Sequence, residues 1–287
     1  LGKPRLTPAE EEAESLARRH PLTHTEGVES RFGDPARAAI LARAFHIRPA
    51  DRDLPVRGIH GVHPYPARLH PAWARGLLAQ VPPDGVVLDP FCGSGTVLVE
   101  TAMSGRRALG SDVNSVALRI ARLRTTRRDE PFLAALARAT TQVHQAAEDR
   151  PPSPFGILAK EERRFPPHVL TQLINLRDAI DHVRSDEVRE VLLLGLTPLL
   201  AKFGRKHGRV APTVGRRAVR DEFLRRMQKV GMELADYAIA LPEHVPDPDI
   251  QLSDARRVPW DEGTADAVIT SPPYPGVYHY AAEQGMA

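Results

Sequence analysis

The stretch Asp89-Pro90-Phe91-Cys92-Gly93-Ser94-Gly95-Thr96 decides the fold. It ends an apolar, β-branched run from Gly85 to Pro90 that predicts a buried strand, and it leads into a predicted helix from Thr96 to Met103. The two glycines permit a tight turn in which the backbone approaches a ligand closely. The free N–H groups at the start of the helix favour a carboxylate or a phosphate. The stretch therefore predicts a ligand site, although a plain turn in an α/β protein would show the same glycines.

Two common ligands fit this turn poorly. A phosphate-binding loop needs a lysine after the second glycine, and Thr96 and Val97 follow instead. A dinucleotide fingerprint needs a third glycine where Leu98 stands. An adenosine-bearing ligand with a carboxylate fits better, and the cofactor we expect is S-adenosylmethionine.

The spacing of apolar residues predicts further strands and helices after this stretch. Residues 107–112 read as a second strand that ends on an acid, and residues 114–124 as a second helix, so the order βαβα predicts a parallel, doubly wound sheet. Residues 126–247 have helical spacing, and residues 250–253 and 265–270 return to strands. The predicted fold class is α/β, with a Rossmann-like parallel sheet interrupted by a mostly helical insertion. The predicted regions are an N-terminal helical arm (1–55), a cofactor-binding half (56–125), the insertion (126–247) and a catalytic-loop half (248–287).

Two acids follow predicted strands. Asp112 lies about 20 residues beyond the glycines, which is the spacing of acids that bind ribose hydroxyls. A helix N-cap is the alternative, for which Asp112 or Asn114 is suitable. Asp254 follows the strand at residues 250–253 and is predicted to meet an adenine amino group, with a surface-loop acid as the alternative.

The segment Thr270-Ser271-Pro272-Pro273-Tyr274 follows the last predicted strand. Two prolines at a strand end give a rigid loop whose carbonyl groups stay outside the ladder. The Ser271 side chain and the Pro272 carbonyl group are suitable acceptors for the two protons of an exocyclic amino group, and Tyr274 can stack on a base. Methyl transfer from a sulfonium needs positioning rather than a strong base. A turn, or a ligand for a WW-type domain, is the alternative.

These two motifs together resemble the amino-methyltransferases of DNA, the N4-cytosine and N6-adenine enzymes. The segment from Gly61 to Pro71 is similar to the one that these enzymes place against the methionine part of the cofactor. The resemblance implies a catalytic loop at Ser271, Pro272, Pro273 and Tyr274. It implies cofactor contacts at Tyr65, Pro66, Ala67, Asp89, Phe91, Gly93, Gly95, Thr96, Asp112 and Asp254.

The resemblance also implies a reaction and a partner. The chain is expected to methylate a base amino group in double-stranded DNA, with the base flipped out of the helix. Serine at the start of the Ser-Pro-Pro-Tyr motif favours cytosine N4. Adenine N6, an RNA or tRNA guanine amino group, and an inactive cofactor-binding fragment are the alternatives. The chain begins at Leu1 and ends soon after Tyr274, whereas the family's sheet continues, so we expect a fragment that lacks the C-terminal strands.

A basic tract lies inside the predicted insertion. Residues 202–229 contain ten Lys or Arg residues and two acids, with glycines at 204, 208 and 215. Such a tract can contact DNA phosphates, although a solvated helix face is an equal interpretation. The predicted phosphate contacts are Arg205, Lys206, Arg209, Arg216, Arg217 and Arg220.

The composition limits which partners, metal sites and cellular locations we expect. The formal net charge of +3 is compatible with a polyanionic partner but does not require one. Cys92 is the single cysteine, so disulfides and cysteine-based zinc sites are excluded. The histidines at 60, 63 and 70 lack a metal-binding spacing, and we expect no metal. Without a signal peptide or a membrane-spanning run, we expect a cytoplasmic protein, nucleoid-associated in a bacterium.

Overall fold

Four strands form one parallel sheet. They are β1 (Val86–Asp89), β2 (Arg107–Asp112), β3 (Asp249–Leu252) and β4 (Ala267–Val268), and they pair in the order β3-β2-β1-β4. The structure, a computed structural model, describes residues 33–66, 68–148, 165–204, 215 and 217–273. Residues 1–32 of the predicted N-terminal arm lie outside the described residues. The sheet order and the parallel pairing confirm the predicted α/β, Rossmann-like fold class.

Eight α-helices are present in the described part of the chain. Two of them follow β1 and β2 in turn, which is the predicted βαβα order. The helices are α1 (Pro35–Ala44), α2 (Pro71–Leu78), α3 (Thr96–Met103), α4 (Ser115–Thr125), α5 (Glu130–Ala146), α6 (Pro167–Asp181), α7 (Asp186–Phe203) and α8 (Ala218–Ala240). None of these described helices is long and apolar enough to cross a bilayer.

Local residues explain where α4 and α5 begin. The Asn114 side chain accepts hydrogen bonds from the backbone N–H groups of Val116 and Ala117, so Asn114, rather than Asp112, is the N-cap of α4. Asp129 caps α5 in the same way, by accepting a hydrogen bond from the N–H group of Phe132. Each cap satisfies backbone donors that the first turn of a helix leaves without a partner.

The last strand is shorter than the sequence predicts. Residues 265–270 are predicted as a strand, but the ladder with β1 pairs only Ala267 with Val87 and Val268 with Leu88. β1 is itself only four residues long, so it offers few partners. Single backbone hydrogen bonds from Asp266 to Val86 (2.9 Å) and from Ile269 to Leu88 (3.1 Å) continue the contact at either end.

The insertion shares its core with the sheet helices. One cluster of buried side chains includes Val99 of α3, Ile120 of α4, Leu136 of α5, Leu192 of α7 and Phe223 of α8. Burial of apolar surface contributes about 25 cal/mol per Å², so this shared cluster makes a large contribution to stability. The insertion is therefore packed onto the cofactor-binding half, and the limits of the four predicted regions remain predictions.

The contact between α7 and α8 generates a test. A Cβ atom added at Gly195 would lie 2.0 Å from the sulfur of Met227, which is itself 2% exposed. Gly195→Ala is expected to lower the free energy of unfolding by about 1–3 kcal/mol, because the buried methionine has little room to turn away. Gly231→Ala is the control, since nothing lies within 4 Å of its added Cβ. Gly231→Ala should raise the free energy of unfolding by about 0.5–1 kcal/mol, because alanine is favoured over glycine within a helix. Urea unfolding measures both, and equal shifts in the two variants would contradict the packing argument.

Candidate active site

A cavity of about 370 Å³ opens where the strands end at their carboxyl edge. Its walls come from the segments after all four strands: residues 90–94 after β1, 113–114 after β2, 253–255 after β3, and Ser271 with Pro273 after β4. Ligands of open parallel sheets bind outside the carboxyl ends of the strands. The cavity therefore lies at the edge where this architecture places its ligands.

The glycine turn is fixed to the end of β2. Gly93 and Gly95 have φ angles of 49° and 83°, in the left-handed region that favours glycine. The Gly93 N–H group donates to Oδ2 of Asp112 at 2.9 Å, and the Asn114 N–H group donates to Oδ1 at 2.8 Å. Asp112 thus holds the turn and the start of α4 in one arrangement.

Asp89 is a buried acid on the cavity wall. Its Oδ1 atom accepts hydrogen bonds from the Phe91 N–H group (3.1 Å) and the Thr270 hydroxyl group (2.6 Å). The pKa of Asp89 is raised to about 7, chiefly by burial and also by the nearby charge of Asp112, while the two hydrogen bonds oppose the shift. Asp89 is therefore partly protonated at neutral pH, unlike an ordinary surface acid.

Arg124 of α4 is completely buried and connects the turn to residues 60–63. Its guanidinium group donates to the Ser94 carbonyl group (2.9 Å) and hydroxyl group (2.7 Å), and to the carbonyl groups of His60 (3.1 Å) and His63 (2.5 Å). Burial lowers the pKa of Arg124, and the charge of Arg68 adds to this effect. Carbonyl groups thus solvate this cation, since none of the carboxylates in the described segments pairs with it.

Arg68 is a second cation beside Arg124, and it lines the cavity. It donates to the His60 carbonyl group at 2.6 Å and to the Pro55 carbonyl group at 2.9 Å. Burial lowers its pKa as well. Two neighbouring guanidinium groups without a described carboxylate partner make this side of the cavity favourable for an anion.

The insertion supports the wall that contains Tyr65. Arg226 of α8 donates to the Val62 carbonyl group at 2.7 Å, and the His63 ring nitrogen Nε2 lies 2.9 Å from the Thr197 hydroxyl oxygen on α7. Tyr65 accepts a hydrogen bond through its hydroxyl group from the Asn114 side chain at 3.3 Å. Helices far along the chain therefore set the position of this wall.

The structure brings most of the predicted site residues to the cavity. Nine of them line it: Tyr65, Asp89, Phe91, Gly93, Thr96, Asp112, Asp254, Ser271 and Pro273. Pro66, Gly95 and Pro272 are not part of its wall. A Cβ atom added at Gly95 would lie 3.1 Å from Cβ of Ala121, so Gly95 allows α3 to approach α4. Ala67 and Tyr274 lie outside the described residues.

Asp254 is predicted to meet an adenine amino group, but its carboxylate has a local partner. It accepts a hydrogen bond from the backbone N–H group of Arg256 at 2.9 Å and pairs with the Arg256 guanidinium group at 2.6 Å. These bonds lower the pKa of Asp254 to about 2. Asp254 lines the cavity as a capping residue of the short turn Ala255–Arg257, a role that the sequence did not indicate.

The two described basic residues of the predicted phosphate contacts face a carboxylate. Arg220 is 6% exposed and lies 3.0 Å from Glu148, and Arg217 lies 3.2 Å from the same side chain. Burial and the ion pair with Glu148 do not favour a phosphate contact by Arg220, and that contact stays a prediction. Arg205, Lys206, Arg209 and Arg216 lie outside the described residues.

Sequence reasoning missed the buried charges near the site. Arg68 was not singled out within the Gly61–Pro71 segment. Arg124 belongs to no motif, and an Arg-rich helix gave no signal that one arginine points inward. Glu100 of α3 was also missed. It lies 2.9 Å from the His60 ring and receives two hydrogen bonds from Arg75. Within the described ranges, no group of His, Cys, Asp and Glu side chains has the arrangement of a metal site.

Residues 61–149 match a protein family described as UPF0020: RMKL-like, methyltransferase domain. This stretch of the chain is therefore similar to a methyltransferase domain, and the match supports methyl transfer generally. The matched stretch includes Tyr65, the glycine turn and Asp112, and it ends before the Ser271 loop. No curated protein and no solved structure matches the chain. Methyltransferase families typically use S-adenosylmethionine, which agrees with the ligand class expected from the glycine turn.

The four hydrogen bonds of Arg124 make its replacement informative. Arg124→Lys is expected to lower the free energy of unfolding by about 2–4 kcal/mol, because a single ammonium group leaves buried carbonyl groups without donors. Arg119→Lys is the control on the same helix. Arg119 pairs with Glu190 and is 40% exposed, so its change should stay below about 1 kcal/mol. Denaturant unfolding measures both, and a loss no larger than the control's would contradict a supporting role.

Asp89 predicts a specific dependence of stability on pH. Its pKa in the folded domain is about 7, above the ordinary value of 3.8, so the folded state binds the proton more tightly than the unfolded state. Its contribution to stability is therefore present below pH 4 and is lost as pH rises towards 7. Asp89→Asn should be more stable than the parent protein by about 1–4 kcal/mol at pH 8, and the difference should shrink towards pH 4. Unfolding curves between these limits test it, and a difference that does not vary with pH would contradict it.

Proposed function

We propose that this chain binds S-adenosylmethionine in the cavity and transfers its methyl group to an exocyclic amino group of a DNA base, with cytosine N4 favoured over adenine N6. One observation carries the proposal: Ser271 and Pro273 line the same cavity as Gly93 and Asp112. A loop suited to hold an amino group and a turn suited to hold the cofactor thus face one space.

The residues on the cavity wall fit the cofactor's chemistry. Asp112 uses one lone pair on each carboxylate oxygen for backbone N–H groups, so each oxygen retains accepting capacity for a ribose hydroxyl group. Arg68 offers positive charge to the cofactor's carboxylate. When bound, S-adenosylmethionine supplies an electrophilic methyl group on a sulfonium.

The amino-group loop would act by orientation. The lone pair of an exocyclic amino nitrogen is delocalised into the base, so the nitrogen is a poor nucleophile. The Ser271 hydroxyl group and the Pro272 carbonyl group can accept its two protons and direct the lone pair away from the ring. Such positioning lowers the barrier without a strong base. In duplex DNA the base has to be flipped out of the stack to reach the cavity.

A methyltransferase that acts on RNA is the second candidate. The family that matches residues 61–149 includes RNA methyltransferases, which favours this alternative. An RNA methyltransferase would use the same amino-group chemistry as the DNA enzymes, so the two candidates differ only in the nucleic acid that they methylate. The basic residues of the tract other than Arg220 are proposed to contact phosphates of either nucleic acid: Arg205, Lys206, Arg209, Arg216 and Arg217.

The test combines binding and transfer. Calorimetry with S-adenosylmethionine is expected to show one site, and Asp112→Ala should weaken the affinity at least about tenfold because the glycine turn loses its anchor. Asp84→Ala, in the exposed loop before β1, is the control and should bind like the parent protein.

Transfer of a labelled methyl group is then measured on duplex DNA, single-stranded DNA and transfer RNA, and the modified nucleoside is identified after digestion. The proposal expects N4-methylcytosine or N6-methyladenine from DNA. A labelled guanine from RNA would select the second candidate. Cofactor binding without transfer to any substrate would leave a cofactor-binding protein and contradict both.

A further inference from the structure

The backbone pairing between β1 and β4 ends at a side-chain hydrogen bond. The Ile269 N–H group donates to the Leu88 carbonyl group at 3.1 Å, and this is the last backbone contact along the pair in the described segments. One residue further, the Thr270 hydroxyl group donates to Oδ1 of Asp89 at 2.6 Å. The side chains thus continue a connection that the backbone no longer makes.

The loop after Thr270 has little else to hold it. Pro272 and Pro273 have no N–H groups to donate. Among the described residues, none from 271 to 273 makes a hydrogen bond to another part of the chain. The bond from Thr270 to Asp89 is therefore the last fixed point before the proposed amino-group acceptors.

We propose that Thr270 is a positioning residue, whose hydroxyl group ties the 271–273 loop to Asp89 so that the acceptors of the amino group stay aligned with the glycine turn. This inference rests on the proposed function and adds a residue to it. Thr270 is not among the residues that line the cavity, so it acts through Asp89 and the loop.

The ionisation of Asp89 links this bond to pH. The groups that interact with Asp89 are Asp112 at the end of β2, Cys92 on the glycine turn and Thr270 itself, and Arg68 lines the same cavity. A hydrogen bond donated to a carboxylate stabilises its charged form, so the Thr270 hydroxyl group lowers the pKa of Asp89. Removal of that hydroxyl group should raise this pKa further above its ordinary value.

Two substitutions separate the hydroxyl group from the methyl group of Thr270. Thr270→Val keeps the shape and removes the donor, whereas Thr270→Ser keeps the donor and removes the methyl group. Carbon-13 NMR of the aspartate carboxyl groups, with Asp89→Asn to assign the signal, follows the titration without any substrate. The Asp89 pKa is expected to rise in Thr270→Val and to stay near the parent value in Thr270→Ser.

Kinetics supply the second readout. In Thr270→Val, kcat is expected to fall about tenfold to a hundredfold, because a misplaced acceptor loop affects the transfer step. At pH 8 the affinity for S-adenosylmethionine should change by less than about threefold, and Thr270→Ser should restore kcat.

The outcomes divide clearly. An unchanged Asp89 pKa in Thr270→Val, an unchanged kcat, or equal losses in Thr270→Val and Thr270→Ser would overturn the inference. A large loss of thermal stability confined to Thr270→Val would make the role structural only and overturn it too. If the parent protein transfers no methyl group, the proposed function fails. The proposed role of Thr270 in catalysis then fails as well, even if the NMR titration shows the hydrogen bond between Thr270 and Asp89.

Discussion

The hydrogen bonds of Arg124 are the interaction on which the site depends most. A cation removed completely from water is costly unless polar groups replace its hydration. Here carbonyl oxygens of His60, His63 and Ser94 and the Ser94 hydroxyl group surround it. Because the charge requires these partners, the glycine turn and the residues 60–63 cannot move independently of α4. Arg124 therefore fixes the position of the site, although it is not one of the residues that line the cavity.

The same residues connect the insertion to the cofactor wall. Val62 and His63 contact Arg226 and Thr197 on the insertion helices, and they lie just before Tyr65 on the cavity wall. A helical segment that interrupts a sheet could have formed a separate body. In this chain its apolar side chains join those of α3 and α4 in one cluster, so the insertion is part of the support of the site.

Charge is distributed unevenly around the cavity. Asp89 and Asp112 lie at the ends of neighbouring strands, where burial and mutual repulsion raise the pKa of Asp89 to about 7. Arg68 lines the cavity and Arg124 is buried beside it, and neither has a carboxylate partner in the described segments. Both arrangements cost stability in the free protein and favour a ligand with a positive amino group and a negative carboxylate, which are the charges of a methionine moiety.

The sequence by itself determined the order of the elements and the position of the glycine turn. Gly93 and Gly95, the apolar run before them and the acid at the end of the next strand follow local preferences that depend on neighbouring residues only. The sheet pattern and the ligand turn were predictable in this way, and the resemblance supplied further wall residues such as Phe91 and Tyr65. Side chains that act across the fold were not predictable, since the spacing of Arg220 does not reveal its burial beside Glu148.

Only the tertiary structure decided which groups meet. Thr270 and Asp89 are separated by 181 residues, and Arg124 and His60 by 64, yet each pair is joined by a hydrogen bond. Such contacts depend on the register of parallel strands and on how closely helices cross, and both are set by packing of the whole core. A sequence pattern of period two or 3.6 specifies which face is buried, but not which distant atom lies opposite.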